Sequence, residues 1–146
     1  MKLSGTYKFE APQQRVWEFL IDPQRLQKCI PGAKELQTVG PNEYTGEIDV
    51  GIAAVKGQYK GRVKLEDLVP PESYKIVGEG EGGVAGFAKG GADVRLSDKD
   101  GGTLLTYNVE AQIGGKLAQL GGRLINGVAK NYADAFFANF AKAVSS

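Results

Sequence analysis

The stretch GEGEGGVAGFAKGG, residues 78–91, places seven glycines in fourteen residues. On both sides of it the chain alternates like a β-strand, SYKIV before and ADVRLS after. Glycine inside a strand costs backbone entropy and contributes no side chain to packing. A sheet that concentrates glycine at one place is making use of the missing side chains.

From residue 33 to residue 113 the sequence has a period of two. LQTV, EYTGEIDVGIAAV, QYKGRVKLEDL, SYKIVGEGEG, GFAKGGADVRLS and TLLTYNVEAQI read as six strands. GPNE, PPES and DKDGG between them are polar turns. Upstream, MKLSGTYKFE alternates strictly, with Leu3, Gly5, Tyr7 and Phe9 on one face of a half-buried strand. APQQRVWEFLID then opens a short helix, with Pro12 near its first turn and Val16, Phe19 and Leu20 as its inner stripe. Asp22-Pro23 starts a second short helix, which Ile30-Pro31-Gly32 ends. After Gly115, Leu117, Leu120, Leu124, Val128, Tyr132, Phe136 and Phe140 recur at three and four, which predicts one amphipathic helix over 116–144. The expected architecture is a single α+β domain spanning residues 1–146. A seven-stranded curved antiparallel sheet wraps a long C-terminal helix, and two short helices follow the first strand.

In such an up-and-down sheet, the loops around 54–56, 82–85 and 114–116 share one end. GIAAVKG, EGGVAGF and IGGKL are apolar and glycine-rich, whereas the three turns at the other end are polar. Along the inner faces the fifth strand reads Tyr74, Ile76, Gly78, Gly80, Gly82, and the sixth reads Gly86, Ala88, Gly90, Ala92, Val94, Leu96. Gly121, Gly122 and Gly127 open the long helix, while Tyr132, Phe136, Phe137 and Phe140 close it. Small residues therefore gather at the apolar end and large ones at the polar end. An unfilled cavity costs about 24 cal/mol per Å³ and a mid-helix glycine about 1 kcal/mol against alanine. Accepting both at one place points to an apolar ligand accommodated there. The alternative is that the glycines bend the sheet and let the helix approach closely.

Composition narrows the chemistry. The net charge of +1 supplies no general field for nucleic acid. One cysteine, Cys29, rules out an internal disulfide framework and, with no signal-like start, the chain reads as cytoplasmic. There is no histidine, the commonest general base and metal ligand. Cys29 without a histidine reads as a packed thiol, and Trp17 as helix packing. GEGEGG and GFAKGG do not match a phosphate-binding loop. Lys60, Arg62 and Lys64 form a basic stripe on the outer face, countered by Glu47 and Asp49, and read as a solvated surface.

VWEFLIDPQRLQKCIPGAKEL, VKGQYKGRVKLEDLVPPESYKIVGEGEGG, GFAKGGADVRL, GGTLLTYNVEAQIGGKLAQLGGRLI and the late Phe136-Phe137 pair resemble the carbon monoxide dehydrogenase G-subunit family. CIPG, GGKLAQLGGRLI and FF are the most specific elements. The resemblance implies the helix-grip fold shared by START lipid-transfer domains and the birch-pollen allergen, with a hydrophobic cavity between sheet and helix. It further implies an accessory or adaptor of molybdenum-containing carbon monoxide dehydrogenase or a related hydroxylase, recruiting that enzyme to the inner face of the membrane and handling a quinone or lipid. Many members of that family continue into a flexible tail with an apolar end, and this sequence stops at Ser146.

The expected ligand-binding residues are the inward ones near the apolar end: Ile30, Ile52, Tyr59, Gly80, Phe87, Ala88, Tyr107, Leu117, Leu120, Gly121 and Leu124. Tyr59 and Tyr107 each offer one hydrogen bond to a ligand carbonyl or headgroup. Ile52, Val55, Val84 and Phe87 at the loop tips are candidate contacts with a membrane or partner. No catalytic residue, metal or covalent cofactor is expected. The competing classes are a cyclase- or hydrolase-type enzyme on the same fold, which requires titratable groups converging in the cavity, and a ligand-free protein-interaction module with a collapsed core.

Overall fold

The computed structural model describes residues 1–51 and 56–145. Strand β1 (Lys2–Phe9) is followed by helices α1 (Gln13–Leu20) and α2 (Pro23–Cys29). Strands β2 (Gln37–Gly40), β3 (Glu43–Val50), β4 (Gly57–Val69), β5 (Ser73–Glu81), β6 (Phe87–Lys99) and β7 (Gly102–Gly114) then lead to α3 (Gly122–Ser145). The seven strands form one antiparallel sheet in the order β1-β7-β6-β5-β4-β3-β2. This is the expected helix-grip arrangement, with the first strand returning to pair beside the last.

Local chemistry sets the helix boundaries. Asp22 caps α2 by accepting a hydrogen bond from the Gln24 amide, and Pro23 sits in its first turn, where a missing N–H costs nothing. The start of α3 differs from the expected one. Residues Gly115–Leu120 form a 3₁₀ helix, Gly121 adopts a φ of +87°, and the α-helix begins only at Gly122. A left-handed residue interrupts the hydrogen-bond ladder, so the stripe at three and four spans two elements with different phases.

The core lies at one end of the grip. Phe9, Val16, Trp17, Phe19, Leu20, Leu65, Tyr74, Val94, Leu96, Leu105, Phe137, Phe140 and Val144 are buried together. Rings interlock there: Tyr7 stacks on Phe137 at 5.3 Å, Phe9 meets the edge of Phe140 at 5.0 Å, and Trp17 meets the edge of Tyr74 at 5.5 Å. Two anchors fix α1 against its neighbours. Arg15 Nε donates to the Val144 carbonyl at 2.7 Å, satisfying one of the last orphan acceptors of α3, and the buried Thr103 hydroxyl donates to the Ala11 carbonyl at 2.7 Å. The guanidinium groups of Arg15 and Arg25 both lie over the Phe19 ring, at 4.6 and 3.8 Å from its centroid. Cys29 is buried in this cluster and burial pushes its thiol pKa up, which suits a packing role.

Candidate functional site

Strand register shows what the glycines do. Across the concave face, Gly46 pairs with Gly61, Gly61 with Gly80, and Gly80 with Ala88. One row nearer the core, Val63 pairs with Gly78, Gly78 with Gly90, and Gly90 with Ala111. The first row is thus glycine or alanine from β3 to β6 and ends at Ile113 of β7, and the second is glycine or alanine from β5 to β7 after Tyr44 and Val63. Two rows further on, the same strands present Tyr74 opposite Val94 and Val94 opposite Tyr107.

The vacancy is not filled by the helix. Among the described residues, a β-carbon at Gly80 meets only the Lys60 carbonyl oxygen, at 3.6 Å, and one at Gly61 only the Glu79 carbonyl oxygen, at 3.3 Å. At Gly78 the neighbours are the Arg62 carbonyl and Val63, again from the sheet itself. Val63, on the same face, stays 37% exposed. From the helix side, β-carbons at Gly121, Gly122 and Gly127 would meet no described atom within 4 Å. The sheet and α3 are packed together at the aromatic end, while at the other end Gly121, Gly122 and Gly127 lie exposed and Asn126 reaches the Lys2 carbonyl at 3.5 Å.

Not every glycine here makes room. A β-carbon at Gly90 would overlap the Glu110 carbonyl oxygen, so this glycine permits close strand approach. The curvature reading holds at Gly90, and the space reading holds at Gly61, Gly78 and Gly80.

The inward strand positions, from Phe9 and Tyr7 on β1 across to Tyr44 and Ile48 on β3, carry one charged side chain, Asp98, which is exposed at the end of β6. Their other titratable groups are phenols. Burial holds the Tyr74 hydroxyl well above the ordinary phenol range, and burial, with Tyr132 of α3 nearby, raises Tyr59 as well. Tyr59 lies on the sheet and Tyr132 on α3. Such a wall binds apolar matter and offers hydroxyl hydrogen bonds. Around the glycine rows it presents no carboxylate to move a proton.

At the glycine-rich end the connections meet. The backbone of Gly86 is packed against that of Gly114 and Gly115. Beside them a mainly apolar cleft of about 500 Å³ opens between β7 and the start of α3, lined by Met1, Phe87, Ala111, Ile113, Ala118, Gly121 and Ile125. On the convex face a separate depression of about 860 Å³ is lined chiefly by charged outward side chains, among them Glu47, Lys60, Arg62, Glu79 and Lys89. Lys60, Arg62 and Lys64 lie exposed on that face.

The expected site residues divide accordingly. Gly80 and Ala88 lie side by side in the glycine rows, and Tyr59 packs its ring against Gly82 at their edge. Leu117 is buried in the 3₁₀ helix, Leu120 is half-buried in it, and Ile30 is half-buried at the end of α2. Ile52 and Val55 lie outside the described residues, as does the side chain of Val84.

Four positions differ from expectation. Phe87 points outward, level with Glu81 and Gly114 and 48% exposed, because strand alternation puts its neighbour Ala88 inside. Leu124 is 41% exposed, because residues spaced by four drift about 40° per step around a helix of 3.6 residues per turn, and going back from Phe140 the stripe has turned to solvent by Leu124. Gly121 is a left-handed hinge before the helix and not a helical residue. Tyr107 belongs to the aromatic end, stacked on Phe137 at 5.3 Å with its hydroxyl over Gly5. Gly61 and Val63 were not expected, and a glycine of matching parity on the neighbouring strand was the signal for the first.

The sequence profile of the carbon monoxide dehydrogenase G subunit (CoxG) matches residues 5–145 of this chain. Among solved structures, a conserved protein from Geobacillus kaustophilus superposes with a TM-score of 0.95 at 37% identity, over 99% of this chain and 95% of that one. A START superfamily protein from Mycobacterium smegmatis superposes with a TM-score of 0.77 at 11% identity, over 99% and 97% of the two chains. Ara h 8.0201 gives 0.73 at 12% identity, over 99% and 97%. The last two likenesses concern the fold alone. A search of curated proteins returned no match. Among the described residues, no helix is long and apolar enough to cross a membrane.

Proposed function

This chain belongs to the CoxG family of carbon monoxide dehydrogenase, and on that premise we propose that it is a non-catalytic carrier that holds a quinone or a similar prenyl or acyl lipid between its sheet and α3. It serves as an accessory of a molybdenum-containing carbon monoxide dehydrogenase or related hydroxylase, at the cytoplasmic face of the membrane. The observation that carries this reading is the pair of glycine rows, where β-carbons at Gly61, Gly78 and Gly80 would meet only sheet atoms among the described residues. Burying an apolar ligand there recovers the transfer free energy that the missing side chains forgo, about 25 cal/mol per Å². Ligand binding then stabilises the folded state by mass action. The inner face, uncharged around the glycine rows, supports a carrier over a hydrolase or cyclase, whose chemistry needs converging titratable groups. Tyr59 and Tyr132 would orient a ligand carbonyl by hydrogen bonding.

The test is organic-solvent extraction of the purified protein with mass spectrometry of the extract, alongside native mass spectrometry of the intact chain. A stoichiometric quinone or lipid is expected. An apo mass, with no thermal shift on adding quinones of several chain lengths, would leave the glycines as curvature devices and the domain as an interaction module.

A further inference from the structure

The ladder between β1 and β7 stops three residues short of the end of β7. Its last pair joins Met1 to Ala111. The Met1 ammonium donates to the Ala111 carbonyl at 2.8 Å, and the Ala111 amide donates to the Met1 carbonyl at 2.9 Å. Strand β7 runs on to Gly114, still paired with β6 on its other side. Backbone groups alternate sides along a strand, so Ile113 turns its N–H and C=O to the β1 side, as Ala111 does. Among the described residues neither group of Ile113 has a partner.

The apolar cleft of about 500 Å³ lies along this free edge and touches both faces of it. On the inner side stand Ile113, Ala118 and Ile125. On the outer side stand Gln112 and Phe87, whose ring lies over Gly114, where a β-carbon would collide with it. Met1 closes one end. Natural sheets blunt a free edge with charge, proline or a covering element. Residues 111–114 carry neither charge nor proline, and their edge is left between apolar walls. Free main-chain groups on the floor and apolar walls on alternate sides are what an added strand requires.

We propose that this slot takes the C-terminal end of a partner protein as an added strand, in line with β1 and antiparallel to β7. Running in the direction of β1, the added segment ends against Met1, so its terminal carboxylate meets the Met1 ammonium. Register assigns the rest. The last residue lies opposite Gln112 and points outward. The penultimate one pairs with the Ile113 main chain and points inward to Ala118 and Ile125, and the third from the end lies on the Phe87 ring. The matching sequence is aromatic or apolar, then apolar, then any residue with a free carboxylate. A fatty acid also joins a carboxylate to an apolar tail, but its tail offers nothing to the Ile113 N–H and C=O. The inference does not rest on the carrier reading, since its site is the edge of β7 and not the glycine rows of β4 and β5.

Amide NMR of the full chain titrated with the peptide SGSFVS tests this. Shifts are expected at Ile113, Gly114 and Ala118, with slowed hydrogen exchange of the Ile113 amide, which exchanges freely without peptide. Amidating the peptide's C-terminus should weaken binding roughly tenfold, the worth of one charge-assisted hydrogen bond. SGSFDS, which aims an acid into the apolar cleft, should not bind. On the protein side, Ala118→Glu should weaken binding by a similar factor through like-charge repulsion. A chain lengthened by Gly-Ser-Gly ahead of Met1 should fill the slot with its own main chain and no longer take the peptide. No shift at millimolar peptide, equal binding of acid and amide, or an Ile113 amide already protected in the free protein would overturn the proposal. Equal protection of Ile113 by decanoate would overturn it too. A quinone extracted from a protein that ignores the peptide would leave the carrier reading standing and remove this one.

Discussion

The two ends of the grip are built from the same strands and the same helix, yet they pack differently. At one end Phe9, Tyr74, Leu96, Phe137 and Phe140 interlock with almost no exposed surface. At the other, β-carbons at Gly61, Gly78 and Gly80 would meet only sheet atoms among the described residues. The difference teaches that the sheet's stability and its ligand space are supplied by separate regions. One end holds the helix, which frees the other to stay unfilled. Substitutions should therefore obey different rules at the two ends.

The largest effect is expected at the packed end. Phe140→Ala removes a ring that is 1% exposed and touches Phe9, Phe19 and Phe136, and should lower the unfolding free energy by about 3–5 kcal/mol in a urea titration. Thr103→Val should cost about 1–3 kcal/mol, because it leaves the buried Ala11 carbonyl without its donor. A smaller loss, or none, at either site would mean that the packed end does not anchor the fold.

Glycine-to-alanine substitutions sharpen the comparison inside a single face. Gly90→Ala drives a methyl group into the Glu110 carbonyl and should destabilise by about 1–3 kcal/mol. Gly80→Ala, on the next row, enters open space and removes entropy from the unfolded chain, so it should be neutral or stabilising by up to about 1 kcal/mol. Equal destabilisation by both would contradict the assignment of space to one and close approach to the other.

The smallest effect is a pH dependence. Burial keeps the Tyr74 phenol protonated well above its ordinary range, so its folded pKa is raised. Above about pH 10 the unfolded chain loses this proton while the folded chain keeps it. The associated stability is fully present below that point and declines as pH rises further. Urea midpoints measured between about pH 8 and pH 11 should fall at the alkaline end, and less so in Tyr74→Phe.

Much of this was legible in the sequence. Alternation along β5 and β6 gave the inward glycines, the polar turns gave the strand ends, and the change of period after Gly115 gave a C-terminal helix. What escaped depended on backbone handedness or on pairing. The positive φ of Gly121 splits the predicted helix, which a hydrophobic stripe cannot report, and residues spaced strictly by four drift around a 3.6-residue helix, which leaves Leu124 exposed while Phe140 is buried. Phe87 was read inward because it is large and apolar, although its parity with Ala88 already placed it outside. Gly61 joins the site only through register, which links it to Gly80 on the next strand, while Gly46 of the same row lies under Leu36.

Gly80 offers the most direct test of the central claim that the glycine rows are ligand space. Gly80→Leu projects a side chain into the gap from a β-carbon whose only described neighbour within 4 Å is the Lys60 carbonyl oxygen. Thermal unfolding of the parent and of Gly80→Leu, each with and without a quinone solubilised in mild detergent, should show a ligand-dependent rise in Tm for the parent only. The variant's own Tm should be unchanged or higher. An equal ligand-induced rise in both proteins would contradict the claim, as would a variant that unfolds because the space was never open.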